Sequence, residues 1–515
     1  MKNFLRKIGR FFRSRGFLKF VLWTVTLIIL FYVEEDWRGA RMWAATKAKW
    51  EARGESFDYN RLVPPPIPDD QNLAAIPLFK MEPDPEDKGY LGPLNLRRAL
   101  RQNLPSNAQT LPSVGGGSKA TFPDFEKIYR GIADAYENNF HAPPVTSDPL
   151  IQLETLYPLI VDLRTASATR PLCRFALDYT SQPPYARSLG LVTLPLTAAK
   201  ILSLHAVLAL HEHQPDLALA DVKTLVKLAF GTAQEPELIS GLVACAMNAM
   251  AGQVVATGLA LHAWNDAQLA GIEEALRPLD SLADYQLAMH GELLLFSLPT
   301  LDYLKTFRPD IGLFFTFSDP PRPPPIYARA AAFVLWPNGW LDQNKCHVTD
   351  ALLTGIAFTN PGLHRVFPQQ GDDGVNQVRR SARTWDGIAP WKIYSSIALA
   401  PVLDATVTFA QNQVRLDQCR IACALERYRL AHGVYPSSLD DLAPSFISEV
   451  PRDVINGEPY RYRLLPDGTY LLYSVGWNQT DEGGLVVTSL PPSADPDDSA
   501  QKHGDWVWPV LKTGP

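Results

Sequence analysis

Residues 17–33, FLKFVLWTVTLIILFYV, form an apolar run interrupted only by Lys19. A run of this length lies at the short end of what crosses a bilayer as a helix, because the hydrocarbon core takes about 20 residues at ~1.5 Å each. Lys19, near its start, can extend its methylenes through the apolar zone and place its ammonium among the headgroups. The flanks give a direction. Lys2, Arg6, Lys7, Arg10, Arg13 and Arg15 precede the run with no acid among residues 1–16, and Glu34, Glu35 and Asp36 follow it. By the positive-inside rule the basic tail stays in the cytoplasm and the rest of the chain is exported. A cleaved secretory signal has the same order but ends in a small-x-small site, and here Glu34-Glu35-Asp36-Trp37-Arg38 follows instead. The expectation is an uncleaved, single-pass signal anchor in a bacterial inner membrane, with the bulk of the chain periplasmic.

At 515 residues the chain exceeds one ordinary core, so several domains are expected. Its net charge of −6 is unevenly spread: without the six bases of the tail, 42 bases face 54 acids, a net of −12. Such a balance is poor for binding nucleic acid, which needs a concentrated basic face to displace counterions. The five cysteines, Cys173, Cys245, Cys346, Cys419 and Cys423, are odd in number and sit mostly in apolar runs. Cys419 and Cys423 stand four apart, which is neither redox C-x-x-C spacing nor half of a zinc pattern, so all five read as small buried hydrophobes.

After the anchor, 37–53 reads as a second, amphipathic helix with Trp43 and Trp50 on one face. These rings either sit at the membrane interface, as Trp23, Tyr32 and Trp37 do, or pack on the exported body. Val63-Pro64-Pro65-Pro66-Ile67-Pro68-Asp69-Asp70 is an extended strap. Gly115-Gly116-Gly117-Ser118-Lys119 lacks phosphate-loop spacing and reads as a flexible loop. From about Phe122 to His290 helix follows helix. Leu196, Ala199, Leu202 and His205–Leu208 make one stripe, and Leu219, Val222, Leu225, Val226 and Phe230 make its antiparallel partner after the turn at Gln214-Pro215. Further helices are expected over 237–262, after the cap at Trp264-Asn265-Asp266, over 341–358 and over 393–432, the last bending at Pro401. The proline-rich 318–325 reads as a surface crossing and 367–383 as a polar loop. The hairpins look tetratricopeptide-like, although no clean 34-residue period repeats.

Catalytic patterns do not stand out. His211-Glu212-His213 is not H-E-x-x-H, whose histidines must lie four apart on one helix face to share a zinc ion, and it reads as a solvated helix end. No serine nucleophile elbow, dinucleotide fingerprint or kinase set is present. The pairs Glu273-Glu274, Asp372-Asp373 and Asp440-Asp441 are adjacent, so on a helix they diverge by ~100° and read as solvated faces.

The C-terminal stretch is more ordered. ALERYRLAHGVYPSSLDDL at 424–442 ends a helix at Gly433 and opens a short one near Leu439; VPRDVINGEPY at 450–460 follows, then two strands through Tyr462 and 470–473, and Ser474-Val475-Gly476. This resembles the globular part of the major pseudopilin of type II secretion. Pro451, Asp453, Asn456, Gly457, Pro459 and Tyr460 keep the family outline, with Val454 where a tryptophan is usual. The resemblance implies a calcium site in the loop after the strand, here 476–484, with Asn478, Asp481 and Asp505 as candidate ligands; Asn478 stands where the family has aspartate, which removes one charge and lowers affinity. It does not imply a filament subunit. The fifth residue after Gly16 is Val21 rather than glutamate, and the membrane run is far from the fold in sequence. The chain as a whole, including Trp37-Arg38-Gly39-Ala40-Arg41 and Asp69-Asp70-Gln71-Asn72, looks like large membrane-anchored bacterial envelope proteins.

The reading is a mainly α protein, an irregular helical-hairpin array of tetratricopeptide-like type, with a small α+β pseudopilin-like C-terminal domain. Its parts are a basic tail at 1–16, the anchor at 17–33, a juxtamembrane helix and strap at 34–121, a helical domain at 122–400 and the α+β domain at 401–515. The expected function is a non-enzymatic envelope scaffold that binds a protein partner, with no cofactor except calcium. The alternative is an extracytoplasmic hydrolase whose site is dispersed through the helical domain.

Overall fold

The computed structural model describes residues 14–79, 122–175, 179, 184, 190–307, 336–383, 389, 391–487, 489, 500–509 and 511. The expectations for residues 1–13, for 115–119 and for 318–325 lie outside these. The described residues are 66% helix and 5% strand, with small antiparallel sheets.

Helix α1, Arg15–Glu51, opens on Ser14, whose hydroxyl accepts from Phe17 N at 3.1 Å. Its 37 residues make a rod of about 55 Å. The expected membrane helix and the expected amphipathic helix are therefore one element. No breaker separates Val33 from Trp37, and the acids that looked like an exit into solvent are held by the body. Within the apolar run, Thr24 and Thr26 donate to the carbonyls of Phe20 and Leu22, which removes two free hydroxyls from an apolar environment.

The strap 63–70 leads to Asn72, whose side chain accepts from Ala74 N and Arg174 N and donates to the Arg174 carbonyl. Leu73, Ile76 and Phe79 then enter the core. Helices α2 (Phe125–Phe140), α3 (Pro149–Leu156) and α4 (Leu159–Thr169) precede the α5 (Gly190–His211) and α6 (Pro215–Ala233) hairpin, followed by α7 (Leu238–Ala260). Asn265 caps α8 (Asp266–Leu276) in a reciprocal box with Gln268. Helix α9 (Ser281–Gly291) passes through a π-helical stretch, Glu292–Ser297, into α10 (Leu298–Thr306). Pro299 lacks the N–H that would bond four residues back, which favours that wider turn.

Helix α11 (Asn338–Ile356) lies along α1. A two-residue ladder of β1 (Thr359–Asn360) and β2 (Arg365–Val366) leads to α12 (Pro368–Arg383), over the stretch expected to be a loop. Its glycines, poor helix formers, are used for contact: a Cβ on Gly374 would enter the Phe358 ring, and one on Gly371 would press on Trp477. Helix α13, Ile393–His432, runs unbroken through Pro401 and ends at Gly433 with φ 79°. It packs on α7, α8, α9, α11 and α12 as well as on the strand Tyr470–Ser474, so the expected boundary at 400/401 falls inside a helix shared by both regions.

Beyond it, Ser438 boxes a short 3₁₀ turn at Leu439–Leu442, and β3 (Arg461–Leu464), β4 (Tyr470–Ser474) and β5 (Trp506–Val507) form an antiparallel sheet in that order. Buried Asp453 ties this unit together: Oδ1 accepts from Ile455 N at 3.0 Å and Oδ2 from Val475 N at 3.2 Å. One apolar core runs from Leu73 to Trp508 and Leu511, and a second gathers Trp50, Tyr285, Leu352 and Phe409.

Candidate functional site

Among the described residues, three helices are long and apolar enough to cross a membrane: α1, the Leu194–His211 part of α5, and α7. The last two are packed in the body, 78% and 56% buried, whereas the apolar window of α1 holds no buried residue. Helix α1 therefore divides into an outward-facing apolar half and a half fastened to the body, and the two meet at a junction with α11.

Helices α1 and α11 lie parallel there. Glu35 meets Gly339 and Gln343, the Thr46 side chain bonds Cys346, and Trp50 meets Asp350. At the lower crossing two glycines face each other: a Cβ on Gly39 would stand 2.5 Å from the Gly339 Cα, and one on Gly339 would stand 2.8 Å from Asp36 N and collide with the Glu35 carbonyl. Only glycine allows backbones this close. The approach brings Asp36 Oδ1 to 2.8 Å from Gly339 N. Glu35, 5% exposed, accepts from Trp340 Nε1 at 3.1 Å, Gln343 Nε2 at 3.0 Å and Arg38 at 2.6 Å. Three donors on one buried carboxylate bind α1 and α11 together at this level.

Of the two alternatives for Trp43 and Trp50, the structure takes packing on the body. Trp50 is buried with Nε1 on Asp350 at 2.7 Å, and Trp43 stands edge-on to Phe57 under the Lys345 ammonium. Trp43, Lys47, Phe57, Leu298, Asp302 and Tyr303 line an open cavity of about 920 Å³ beside α1. Behind it Lys345 pairs with Asp302 and Asp342, and Lys305 reaches Asp342 at 2.5 Å. Burial lowers the Lys345 pKa against these carboxylates. Two cations and two anions leave the quartet neutral.

The polar groups of the helical body gather in clusters, in which some buried atoms, His205 Nε2, Asp221 Oδ1 and Arg164 Nη1 among them, have no hydrogen bond. Buried His205 sets Nδ1 at 2.6 Å from Asp221 and Nε2 at 3.4 Å from Glu154, and Arg164 reaches Glu154 at 2.6 Å. Nδ1 is engaged by Asp221, while Nε2 is buried without a hydrogen bond. His211 is half-buried rather than solvated, stacked on Phe125 and bonded to Tyr129 at 2.5 Å. Asp440 and Asp441 are both exposed, as expected, but the other two acidic pairs each have one member held by the body: Glu273 is buried between Arg277 and Arg420, and Asp372 accepts from Trp477 and Lys502. The five cysteines are free and buried.

At the far end, Glu426 gathers His262 at 3.0 Å, Arg429 at 2.6 Å and the Tyr435 hydroxyl at 2.9 Å, and so fixes the turn after α13. Burial raises its pKa, but these donors outweigh burial and leave it lowered. Buried Asp417 receives His364 Nε2 and Tyr460 OH, each at 2.9 Å. Burial pulls His364 down, and the Asp417 bond and charge more than reverse it.

The predicted calcium residues lie in one loop region with different partners. Asp481 is held by Arg461 at 3.1 Å, Tyr473 OH at 2.9 Å and Gly483 N at 3.0 Å. Asn478 accepts from Thr480 N and donates to Glu482 Oε1 at 2.7 Å. Asp505 Oδ2 accepts from Gly484 N and Leu485 N, while Asp505 Oδ1 and Glu482 Oε2 are buried without a hydrogen bond. Burial pushes the Asp505 carboxyl up, and the neighbouring Glu482 charge adds to this. Two orphaned carboxylate oxygens fit a hard cation; the Arg461 guanidinium beside Asp481 does not. Sequence reading omitted Glu482, although it lies in the acidic run Asp481-Glu482. Among the described residues, no group of three or more His, Cys, Asp or Glu is gathered for a metal.

No family model, curated protein or solved structure matches this chain.

Proposed function

We propose that this protein is a membrane-anchored extracytoplasmic scaffold of the bacterial envelope. In this reading α1 crosses the inner membrane once with its N-terminus in the cytoplasm, and the body stands on the periplasmic side. The helical hairpins, tetratricopeptide-like in arrangement, present surfaces to a protein partner, and the α+β unit acts as a pseudopilin-like docking or capping module. The observation that carries it is the division of α1: an apolar half with no buried residue, continuous with a half locked to the body by Gly39, Gly339 and Glu35. A joint of that kind holds the body at fixed orientation, which suits assembly. In membranes from expressing bacteria the chain should resist alkaline extraction and be digested by protease only from the periplasmic face. Release by alkali, or digestion from the cytoplasmic face, refutes the anchor or its orientation.

Calcium belongs to the same proposal. Asp505 and Glu482 would hold it, with Asn478 positioning Glu482, and the ion would offset two crowded carboxylates and fix the 476–484 loop. Calorimetry on the full chain in micelles should give heat that Asp505→Asn abolishes; no heat at millimolar calcium removes the site.

A further inference from the structure

We infer that the body makes a second contact with the lipid surface, through a tryptophan cluster at the membrane end of α11 and α13. This deepens the anchor reading and rests on it. Trp340, in the first turn of α11, stands edge-on to Phe31 with ring centroids 6.1 Å apart. Phe31 lies two residues inside the end of the apolar run, about 3 Å below it at ~1.5 Å per residue. The other edge of the same indole donates to Glu35, two residues above that end. The Trp340 ring therefore spans the level at which α1 leaves the hydrocarbon. Helical side chains lean toward their own N-terminus, so a residue in the first turn of α11 points toward the bilayer.

Two more indoles share this level. Trp336 stands edge-on to Trp340 at 5.6 Å and Trp391 is tilted against it at 6.1 Å. All three are partly exposed; the Trp340 N–H is taken by Glu35 and the Trp336 N–H is buried, so their outward contribution is the apolar ring. Trp391 precedes α13, whose first turn is fastened to α11 by Tyr394 N on Asn344 Oδ1 at 3.0 Å. Helix α13 runs the same way as α11, since Tyr394 meets Asn344 and Leu403 meets Gly355. Both helices thus present their N-terminal ends, with these indoles, toward the membrane. On α1 itself exposed Trp37 carries the Arg41 guanidinium 5.3 Å over its ring, which sets a cation at headgroup height. Indole rings with an apolar body and one N–H donor partition to the ester and headgroup zone, and guanidinium groups pair with lipid phosphate. The occupant of this face is the outer-leaflet surface next to α1, reached without any movement of the body.

The test uses the full chain in vesicles of zwitterionic and acidic phospholipid. Because the native cysteines are buried, Trp391→Cys can be labelled with an environment-sensitive dye, with Glu458→Cys on the exposed far end as reference. Lipids carrying a quencher near the headgroup should quench the dye at 391 at least about two-fold more than at 458, as expected of an interfacial site. Equal quenching in a chain that floats with the vesicles overturns this inference and leaves the anchor standing; a chain that does not float overturns both. Should the labelled variant be misfolded, a Trp23→Phe, Trp37→Phe chain keeps the cluster native while removing two exposed indoles on α1. Its intrinsic fluorescence should still be quenched by lipids brominated near the ester, and absence of quenching refutes the contact.

Discussion

Gly339→Ala puts the junction to a direct test because two opposed effects differ in size there. In an unencumbered helix interior, alanine for glycine stabilises by roughly 0.5–1 kcal/mol. At Gly339 the new methyl would lie 2.8 Å from Asp36 N and still closer to the Glu35 carbonyl, where ordinary contact begins at 3.4 Å. Both obstacles are backbone, so relief requires α1 and α11 to part by about 1 Å, with an overpacking cost of ~1–3 kcal/mol. Parting also lengthens the Gly339 N bond to Asp36 and the Trp340 and Gln343 bonds to Glu35, now 2.8, 3.1 and 3.0 Å. Losing even one bond to a buried charge costs ~1.5–3 kcal/mol. The net is a loss of about 2–5 kcal/mol after the propensity gain is subtracted. Unfolding entropy near 2 cal/mol/K per residue makes this about 2–5 °C of Tm for a body of this size. Thermal unfolding of the full chain in micelles reads it, with Gly252→Ala as control, since a Cβ there meets nothing within 4 Å. An unchanged or raised Tm for Gly339→Ala would refute the close crossing.

Asp453→Asn turns an amide N–H₂ toward Ile455 N or Val475 N and should lower stability by about 1–3 kcal/mol in urea unfolding, with Asp453→Ala no milder. His364 has a raised pKa, so its contribution is full below the unfolded value of 6.5 and fades as pH rises through the folded one. The Tm deficit of His364→Gln should therefore be larger at pH 5.5 than at pH 8.5, and below about 1 kcal/mol because the ring is partly exposed. Glu426 has a lowered pKa, so its contribution holds above the unfolded value of 4.5 and is lost as pH falls through the folded one. Glu426→Gln should cost about 3 kcal/mol at pH 7 and progressively less in acid, measured by thermal unfolding.

Local signals in the chain were read correctly where their partners are local. The α5–α6 hairpin, the Asn265 box, the Gly433 stop and the Ser438 turn each depend on residues within a few positions. The misreadings came from partners far away. Glu34-Glu35-Asp36 looks like an exit into water because Trp340, Gln343 and Gly339, which hold Glu35 and Asp36, lie some three hundred positions later. The 368–383 helix was hidden by glycines whose use is contact with Phe358 and Trp477. Glu482 passed unnoticed because a free oxygen becomes conspicuous only once its neighbours are satisfied.

Helix α13 joins the end of the body near α1 to the turn at Gly433 through 40 uninterrupted residues, about 60 Å of rod. Such a rod transmits phase as well as distance. One residue inserted between its two packed halves advances everything beyond it by ~1.5 Å and turns it by ~100°. Four residues nearly restore the heading and add ~6 Å of reach. The aim of the distal unit is thus set by the residue count of a single helix, and changes of length there act as discrete rotations.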